Sequence, residues 1–320
     1  MTPLKLRPAF KDYLWGGTRL KTQFGKQSDL SIVAESWEVS CHKDGPSRVE
    51  NGPLAGKTLP EALETLGREC LGAHGAALEE FPVLIKLIDA KQSLSVQVHP
   101  DDDYARRVEG EQGKNEMWLV LDCEPGAYLY YGFAKDITRE EFAARIGDNT
   151  LTDVLRRVEV HPGDCLFIDA GTLHAIGPGL LIAEVQQSSN STYRVYDFGR
   201  VGADGKPREL HIEKALDVTK LTRETRSTRP QGEREEGDGY AKTLLVRCPY
   251  FTTALMEVKT QAPLCVDEES FRALTVLDGS GTLRYPGGGM AFQKGDSFFL
   301  PAGLGACEIA GKCRVMTCEI

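Results

Sequence analysis

One segment of the chain, residues 93–103 (SLSVQVHPDDD), carries polar side chains at every second position, two of which can bind a metal. In an extended strand Gln97 and His99 fall on the same face, about 6–7 Å apart along the chain. Two side chains at this spacing can share one cation. The opposite face of the predicted strand is apolar and comprises Leu94, Val96 and Val98. An ordinary half-buried strand with its polar face toward water remains the alternative for this segment alone.

Two other predicted strands carry ionisable side chains inside apolar runs. In residues 81–90 (FPVLIKLIDA) the apolar run is interrupted by Lys86 and ends at Asp89. We expect this lysine at the mouth of a cavity, because an unpaired buried ammonium is too costly. In residues 180–189 the alternation of side chains puts Glu184 on one face. The other residues predicted on that face are Ile182, Gln186 and Ser188.

Two more metal-capable residues lie on separate predicted strands. Glu116 shares one strand face with Trp118 and Val120, and His174 follows a strand and a tight glycine turn. The four candidate metal ligands with nitrogen or oxygen donors are Gln97, His99, Glu116 and His174. Two imidazoles, a carboxylate and an amide oxygen suit zinc, with manganese or iron as the alternatives.

The last third of the chain resembles a degenerate second copy of the sequence before it. Residues 162–175 align with residues 294–307, and the strand 118–126 aligns in outline with 274–282. In the second copy Ala306 matches His174 and Arg272 matches Glu116. Only the first copy is therefore predicted to hold a metal.

Short strands with glycine-rich turns, repeated twice, predict an all-β protein with two cupin-type jelly-roll domains and a few short helices. Gly163, Gly171 and His174 have the spacing of the second cupin motif, with Asp169 where proline is usual. Capping boxes at Thr58 and Thr138 predict the starts of two helices.

Together these motifs resemble the type I mannose-6-phosphate isomerase family, in its short bacterial form without a large helical insertion. The resemblance covers nearly the whole chain. The segments that carry it are Trp15-Gly16-Gly17, LSVQVHPDD, GKNE, AGTLHAIG and EVQQSSNSTYRVYDFGR (184–200). The last of these, following AGTLHAIG at this spacing, is specific, whereas an isolated AGT would not be.

The resemblance implies one zinc ion per chain, a small sugar phosphate as the partner, and roles for individual residues. The residues that match the zinc ligands are Gln97, His99, Glu116 and His174. Arg194 matches the active-site arginine, while Lys114 and Glu184 match residues lining the same pocket. Ser95 and Lys86 match positions near the sugar phosphate.

Three positions leave alternatives open. Arg200 either binds phosphate or lies on the surface, and the sequence favours neither. Asn190 stands where family members often carry aspartate, so a ring-opening acid at that position is in doubt. Asp169 in place of proline is predicted to alter only a turn.

We divide the chain into a metal-binding catalytic cupin domain with short helical segments (1–225), a charged linker (226–239) and a degenerate C-terminal cupin domain without metal ligands (240–320). The linker lies within a stretch that is poor in apolar residues and rich in charge, glycine and proline.

The chemistry that the resemblance implies is an aldose–ketose isomerisation through a cis-enediolate. A divalent metal and the Arg194 guanidinium would stabilise the negative charge on two adjacent oxygens. A proton carrier must move the proton between two carbons, and Glu184 is the first candidate, with Lys114 the second.

Composition limits the partners and the compartment. The net charge of −9 argues against nucleic acid, and no apolar run is long enough for a membrane helix. Nine scattered cysteines without a CxxC pair indicate a reducing compartment, so we expect a cytoplasmic protein. The oligomeric state is not predicted.

Two other functions compete with the isomerase. A cupin dioxygenase would use the same strands to hold iron, although Gln97 departs from the His/His/carboxylate set of such sites. A non-catalytic sugar-phosphate-binding cupin would keep the metal only for binding, but it would need no proton carrier such as Glu184.

Overall fold

The computed structural model of the chain describes residues 1–201 and 205–320. Within them, short antiparallel strands dominate. The strands before residue 200 are β1 (Leu4–Arg7), β2 (Ala9–Lys11), β3 (Glu35–Val39), β4 (Arg48–Val49), β5 (Val83–Ala90), β6 (Val96–Val98), β7 (Glu116–Cys123), β8 (Tyr128–Phe133), β9 (Leu155–Glu159), β10 (Cys165–Ile168), β11 (His174–Ile176), β12 (Leu180–Gln187) and β13 (Tyr193–Tyr196).

The remaining strands form a second series after residue 230. They are β14 (Arg234–Gly237), β15 (Tyr240–Arg247), β16 (Thr252–Val258), β17 (Gln261–Val266), β18 (Arg272–Tyr285), β19 (Gly288–Gln293), β20 (Ser297–Leu300) and β21 (Gly305–Glu319). The helices are short: α1 (Arg19–Thr22), α2 (Leu59–Leu66), α3 (Gly72–Ala76), α4 (Asp102–Val108), α5 (Arg139–Gly147) and α6 (Ile212–Val218), with 3-10 turns at Gly52–Leu54, Arg68–Leu71 and Leu151–Val154. Among the described residues, no helix has the length and apolarity needed to cross a membrane.

The first series folds into two facing sheets. A six-stranded sheet has the order β10-β7-β12-β5-β3-β2, and a five-stranded sheet has the order β13-β6-β11-β8-β9. Apolar side chains from both sheets, among them Trp118 and Ile182 from the first and Leu129 and Ile176 from the second, form one buried cluster between them. Six of the predicted site residues line a cavity in this inter-sheet space, namely Lys86, Ser95, Gln97, Lys114, Glu184 and Arg194.

The second series forms a ten-stranded antiparallel arrangement in which β14-β15-β16-β21-β18-β20 continue into β1 and β4. Leu4 and Leu6 of β1 pair with Phe299 and Ser297 of β20, so residues from the start of the chain complete the C-terminal sheet. A large apolar cluster joins this sheet to the outer face of the six-stranded sheet and buries Phe299 against the first half.

The two predicted helix starts are confirmed. Thr58 and Glu61 form the capping box of α2, in which the Glu61 carboxylate accepts a hydrogen bond from the Thr58 backbone N–H at 2.7 Å. The Thr138 hydroxyl accepts from the Glu141 backbone N–H at the start of α5. The all-β class with a few short helices is therefore confirmed.

The predicted division into domains remains a prediction, with two added observations. Residues 234–237 of the predicted linker form β14, which pairs with β15 through four residues. The strand predicted through residues 93–99 is shorter than expected, since β6 covers only Val96–Val98. Leu94 precedes it and packs between the sheets, whereas Val98 packs on the outer face. The prediction that Leu94 shares that outer face is wrong, because regular pleating begins only after it.

Candidate metal centre and active site

A row of four side chains crosses the six-stranded sheet. Trp37, Lys86, Glu184 and Trp118 are Cα partners in consecutive strands β3, β5, β12 and β7. The alternation within β12 puts Glu184 on the same face as Ile182, in the inter-sheet space, while Ala183 and Val185 pack on the other face. The two tryptophans thus flank a buried ammonium–carboxylate pair.

A second row faces it from the five-stranded sheet. His174 of β11 pairs with Gln97 of β6, which pairs in turn with Arg194 of β13. His99 lies just past the end of β6 and is 1% exposed, while His174 is fully buried. Adjacent strands therefore collect residues that are 20 to 100 positions apart in the sequence.

A glycine turn ties the two histidine-bearing segments together. Gly171 donates its backbone N–H to the carbonyl oxygen of His99 at 2.9 Å. Its φ of +86° favours glycine, and a Cβ there would lie 2.8 Å from the Val218 carbonyl oxygen. The predicted cupin motif thus fixes the position of His174 relative to His99.

Both imidazoles are oriented by backbone carbonyl groups. Nδ1 of His99 lies 2.8 Å from the Ser191 carbonyl oxygen, and Nδ1 of His174 lies 2.8 Å from that of Thr172. A carbonyl oxygen only accepts, so each Nδ1 carries the proton and each Nε2 keeps a lone pair. Burial, together with the Lys114 ammonium, also lowers the pKa of His99 to about 3. Neutral Nε2 atoms oriented in this way are what a divalent metal requires.

Glu116 brings a carboxylate to the same two lone pairs. Its Oε1 lies 3.1 Å from His174 Nε2 and 3.6 Å from His99 Nε2. Glu116 Oε1 and His174 Nε2 are buried and have no hydrogen-bond partner among the described residues. Acceptors that converge without donors are costly unless a cation lies among them.

The donor set therefore fits a metal ion. One ligand atom each from His99, Glu116 and His174 lies within 4.8 Å of the others, and tetrahedral ligands about 2.0–2.2 Å from a common ion are themselves roughly 3.4 Å apart. Among the described residues this is the one such group of histidine, cysteine and acidic side chains. Gln97 lies beside it, with its Oε1 3.3 Å from the Ser95 hydroxyl.

Lys114 is the nearest cation to this group. Its Nζ lies 3.1 Å from His99 Nε2 and 3.1 Å from Glu116 Oε2. Burial opposes ionisation of Glu116, but Lys114 and the two imidazoles hold the pKa of this carboxyl well below its usual range. The ammonium and a metal would compete for the same lone pairs on His99 and Glu116.

Glu184 holds the other carboxylate. Its Oε2 accepts a hydrogen bond from Trp118 Nε1 at 2.8 Å, and its Oε1 lies 3.0 Å from the Lys86 ammonium. Burial raises the pKa of Glu184 in spite of Lys86. Burial alone would lower the pKa of Lys86, but Glu184 and Glu35 outweigh it and raise it. Lys86 is thus a paired cation, as its position in an apolar run required.

The cavity between the sheets has a volume of about 270 Å³. Of the predicted site residues, Lys86, Ser95, Gln97, Lys114, Glu184 and Arg194 line it. His99, Glu116 and His174 are buried behind Gln97 and Lys114 and do not line it directly. Three larger grooves, of about 350, 620 and 820 Å³, contain none of the predicted site residues.

Arg194 and Arg200 differ in their surroundings. Arg194 lines the cavity, with its Nε 3.2 Å from the Ser95 hydroxyl. Arg200 is not among the lining residues, and its guanidinium donates to the Ser93 carbonyl oxygen and to Asp197. The role predicted for Arg200 in substrate binding stays a prediction.

The structure adds lining residues that the sequence reasoning missed, namely Tyr13, Glu35 and Arg208. Glu35 could have been found from the sequence, because it lies two residues before Trp37 and therefore on the same face of β3. In the structure it accepts a hydrogen bond from the Trp37 indole N–H at 2.7 Å. No sequence feature pointed to Arg208, because it lies outside any helix or strand.

The two departures from the family pattern have clear surroundings. Asn190 lines the cavity rim and donates to the Asp44 carboxylate at 3.0 Å. Asp169 does more than alter a turn, because it accepts from the Thr172 hydroxyl at 2.6 Å and pairs with Arg226 at 2.6 Å. It thereby fastens the start of the predicted linker to the His174 turn.

Comparison with known proteins places the chain in a family. Residues 4–120 match the model of the phosphomannose isomerase type I catalytic domain, and residues 241–319 match the mannose-6-phosphate isomerase cupin domain. The second match supports the cupin assignment of the C-terminal copy.

Several relatives that match over nearly their full length come from Bacillus subtilis. The chain is 38% identical to a putative mannose-6-phosphate isomerase, YvyI, over 100% of this chain and 99% of the relative. It is 38% identical to mannose-6-phosphate isomerase ManA over 97% and 96%. The crystal structure of a Bacillus subtilis mannose 6-phosphate isomerase superposes over 100% of both chains with a TM-score of 0.93 and 37% identity. The chain belongs to the type I mannose-6-phosphate isomerase family, whose members are aldose–ketose isomerases.

Proposed function

We propose that this chain interconverts mannose 6-phosphate and fructose 6-phosphate through a cis-enediolate, with one divalent metal bound per chain. The observation that carries the metal dependence is the convergence of three buried acceptors, His99 Nε2, His174 Nε2 and the Glu116 carboxylate. His174 Nε2 and Glu116 Oε1 have no hydrogen-bond donor among the described residues. The full-length relatives, which are named as mannose-6-phosphate isomerases, supply the substrate class.

His99, Glu116 and His174 would hold the metal, with Gln97 as the fourth ligand. Gln97 lies next to His174 across paired strands and lines the cavity, so it joins the buried ligands to the space for substrate. Two imidazoles, a carboxylate and an amide oxygen favour zinc. When bound, the metal supplies electrostatic stabilisation for negative charge on adjacent substrate oxygens.

The guanidinium of Arg194 acts on the same developing charge. Its Nη2 has no acceptor among the residues that the structure describes, while Nε and Nη1 are held at 3.2 and 2.9 Å by Ser95 and the Glu209 carbonyl oxygen. A fixed donor of this kind stabilises a transition state because it needs no reorganisation as charge appears.

Glu184 is the first candidate for the proton carrier. As the carboxylate it would take the proton from C2 of the open-chain aldose and return it to C1 of the enediolate, while the hydroxyl proton moves from O2 to O1, giving the ketose. Burial raises its pKa toward the working range of a general base, and Trp118 and Lys86 fix its two oxygens. Lys114, whose Nζ lies 3.1 Å from Glu116 Oε2, is the second candidate.

Family membership favours the isomerase over the dioxygenase and the sugar-phosphate sensor. The paired strands also bring a proton carrier and a guanidinium beside the ligands, which a sensor does not need. We further propose a cytoplasmic location, which the nine free cysteines support.

The test is isomerisation of mannose 6-phosphate in D₂O. We expect fructose 6-phosphate to form and deuterium to accumulate at C2 of the recovered mannose 6-phosphate over many turnovers, because a carboxylate exchanges its proton with solvent. Glu184→Gln should abolish turnover while metal is retained. Turnover without any deuterium uptake would point to hydride transfer and contradict the enediolate.

A further inference from the structure

The strand ladder that carries Glu116 ends at this residue. Strands β7 and β10 pair antiparallel, and their last matched residues are Glu116 and Ile168. Beyond Ile168 the chain leaves the ladder and turns toward His174. The distance between Glu116 and the His174 turn therefore depends on contacts that lie outside the ladder.

The side chain of Asn115 continues the connection where the ladder ends. Its Oδ1 accepts a hydrogen bond from the Ala170 backbone N–H at 2.9 Å, in the turn that leads to His174. Asn115 is 6% exposed, and it is not among the residues that line the cavity. Its position in the sequence is directly before Glu116. Asn115 thus links the residue before one candidate ligand to the turn before another.

A second buried amide holds the first one in place. Gln187, the last residue of β12, is 2% exposed, and its Oε1 accepts from the backbone N–H and from Nδ2 of Asn115 at 3.0 and 2.7 Å. The Gln187 backbone N–H donates in return to the Asn115 carbonyl oxygen at 3.1 Å. Because backbone N–H groups only donate, the two amide oxygens must face Ala170 and Asn115 as they do.

The far end of this pair reaches the loop that follows His99. Gln187 Nε2 donates to Asp102 Oδ1 at 3.0 Å, and the same oxygen accepts from the Gly113 backbone N–H at 2.8 Å. Each oxygen and nitrogen of the two side-chain amides therefore has a partner, which makes the buried network complete. The segments that carry the three candidate metal ligands meet at this one pair of amides.

We propose that Asn115 and Gln187 are positioning residues that hold Glu116 in place beside the imidazoles of His99 and His174. This assignment rests on the proposed function, because it takes those three residues as the metal ligands. A metal binds more tightly when its ligands are already in place, since ordering them on binding costs free energy. Neither amide lines the cavity, so both act through the backbone on either side of Glu116.

The test is the zinc affinity of chelator-treated, full-length variants, measured by competition with a chromophoric chelator. In Asn115→Ala and in Gln187→Met we expect the Kd for zinc to rise about 10–10²-fold, the range for losing an outer partner of a metal ligand. Methionine keeps the length of the glutamine side chain but forms none of its hydrogen bonds. Because the two amides form one bridge, the double variant should bind zinc little worse than the weaker of the two single variants.

Asn51→Ala is the matched control. The Asn51 side chain also bridges two backbone groups, since it accepts from the Lys5 N–H at 2.7 Å and donates to the Pro3 carbonyl oxygen at 3.0 Å. It lies beside β1 in the C-terminal sheet, away from the candidate ligands. Asn51→Ala should lower the unfolding temperature of the metal-free protein and leave the Kd for zinc at the wild-type value. A purely structural role of Asn115 would give the same pattern in Asn115→Ala.

Wild-type zinc affinity in both Asn115→Ala and Gln187→Met would overturn this assignment and leave the metal site itself intact. Losses that multiply fully in the double variant would contradict a single bridge. Should Asn115→Ala not fold, Gln187→Met decides alone, because an unchanged Kd in that variant contradicts the role of the bridge.

The same measurements separate this assignment from the proposed function. If the wild type binds zinc but forms no fructose 6-phosphate, the isomerase fails, and the comparison of zinc Kd values still decides whether the two amides position the site. A wild-type protein that binds no zinc would contradict both.

Discussion

The two copies of the strand–turn–strand unit share their backbone and differ in their polar interior. In the first copy Gly163 donates to the Val120 carbonyl oxygen at 2.8 Å, and in the second Gly295 donates to that of Val276 at 2.8 Å. The strand registers match as well, with Glu116 opposite Ile168 and Arg272 opposite Leu300. The repeat inferred from the sequence is therefore a repeat of hydrogen bonds.

The interiors differ in polarity at the ligand positions, whereas the other matched interior positions stay apolar. Trp118 and Leu166 of the first copy correspond to Leu274 and Phe298 of the second, and all four are buried in the core of their own copy. Where the first copy has the buried Glu116, the second has Arg272 at the start of β18, which pairs with Glu319 at the end of β21. The fold thus depends on the apolar positions, whereas the chemistry depends on a few substitutions that the fold tolerates.

The largest effect is expected from removing a ligand from the first copy. His174→Ala should lose the bound metal and lower kcat/KM by more than about 10²-fold, since even losing an outer partner of a ligand costs 10–100-fold. Metal analysis and a coupled isomerase assay measure both effects. The circular dichroism spectrum should stay that of the wild type, because the apolar core is untouched. Full retention of metal would move the site elsewhere.

Arg194→Ala should have the next largest effect. We expect kcat to fall about 10²–10⁴-fold with the metal still bound, because a preorganised electrostatic group acts mainly on the transition state. Arg194→Lys should recover only part, since a point charge cannot replace a planar fork. Steady-state kinetics on metal-loaded protein give the answer. A variant with unchanged kcat and only a raised KM would make Arg194 a phosphate contact.

A smaller effect is expected on the pH dependence of kcat/KM, which the site in the first copy determines. Burial raises the pKa of Glu184, Glu116 and Glu35 add to this rise, and Lys86 and Lys114 oppose it. The acidic limb of kcat/KM should therefore lie above the value of an ordinary glutamate. Lys86→Met removes an opposing cation, so the limb should move to higher pH by about one unit or more.

The pH–rate profile of metal-loaded protein measures this shift. Lys135→Met is the control, because its pair with Glu141 is solvent-exposed and outside the cavity. A limb that stays in place or moves to lower pH in Lys86→Met would exclude Glu184 as the titrating base.

The smallest effects are expected in the second copy. Ala306→His alone should add no metal, because Arg272 stands where a carboxylate would be needed. Arg272→Ala should leave metal content and activity unchanged and cost less than about 1 kcal/mol of unfolding free energy, since its pair with Glu319 is partly exposed. Thermal unfolding and metal analysis test both variants. A second equivalent of metal in the wild type would contradict the comparison.

Local periodicity accounts for what the sequence predicted well. Glu184 and Gln186 share a face because a strand alternates strictly, and His174 follows Gly171 because the turn needs a positive φ. The capping box at Thr58 is equally local. Such features depend on a few neighbouring residues and are visible in one sequence.

What could not be predicted depends on contacts between distant segments. The face of Leu94 depends on where β6 begins, which its pairing with β11 and β13 decides. Arg208 enters the cavity because Asp197, eleven residues earlier, holds it there. Arg200 points to the same carboxylate from the other side, and nothing in the spacing distinguishes the two arginines.

The most direct test of the metal-dependent isomerase is reconstitution of the chelator-treated wild-type protein. Zinc is added in steps, and the formation of fructose 6-phosphate from mannose 6-phosphate is measured at each step. We predict no turnover without metal, a linear rise, and a plateau at one equivalent per chain, with His174→Ala inactive throughout. Full turnover by the metal-free protein, or a plateau at two equivalents, would contradict the account.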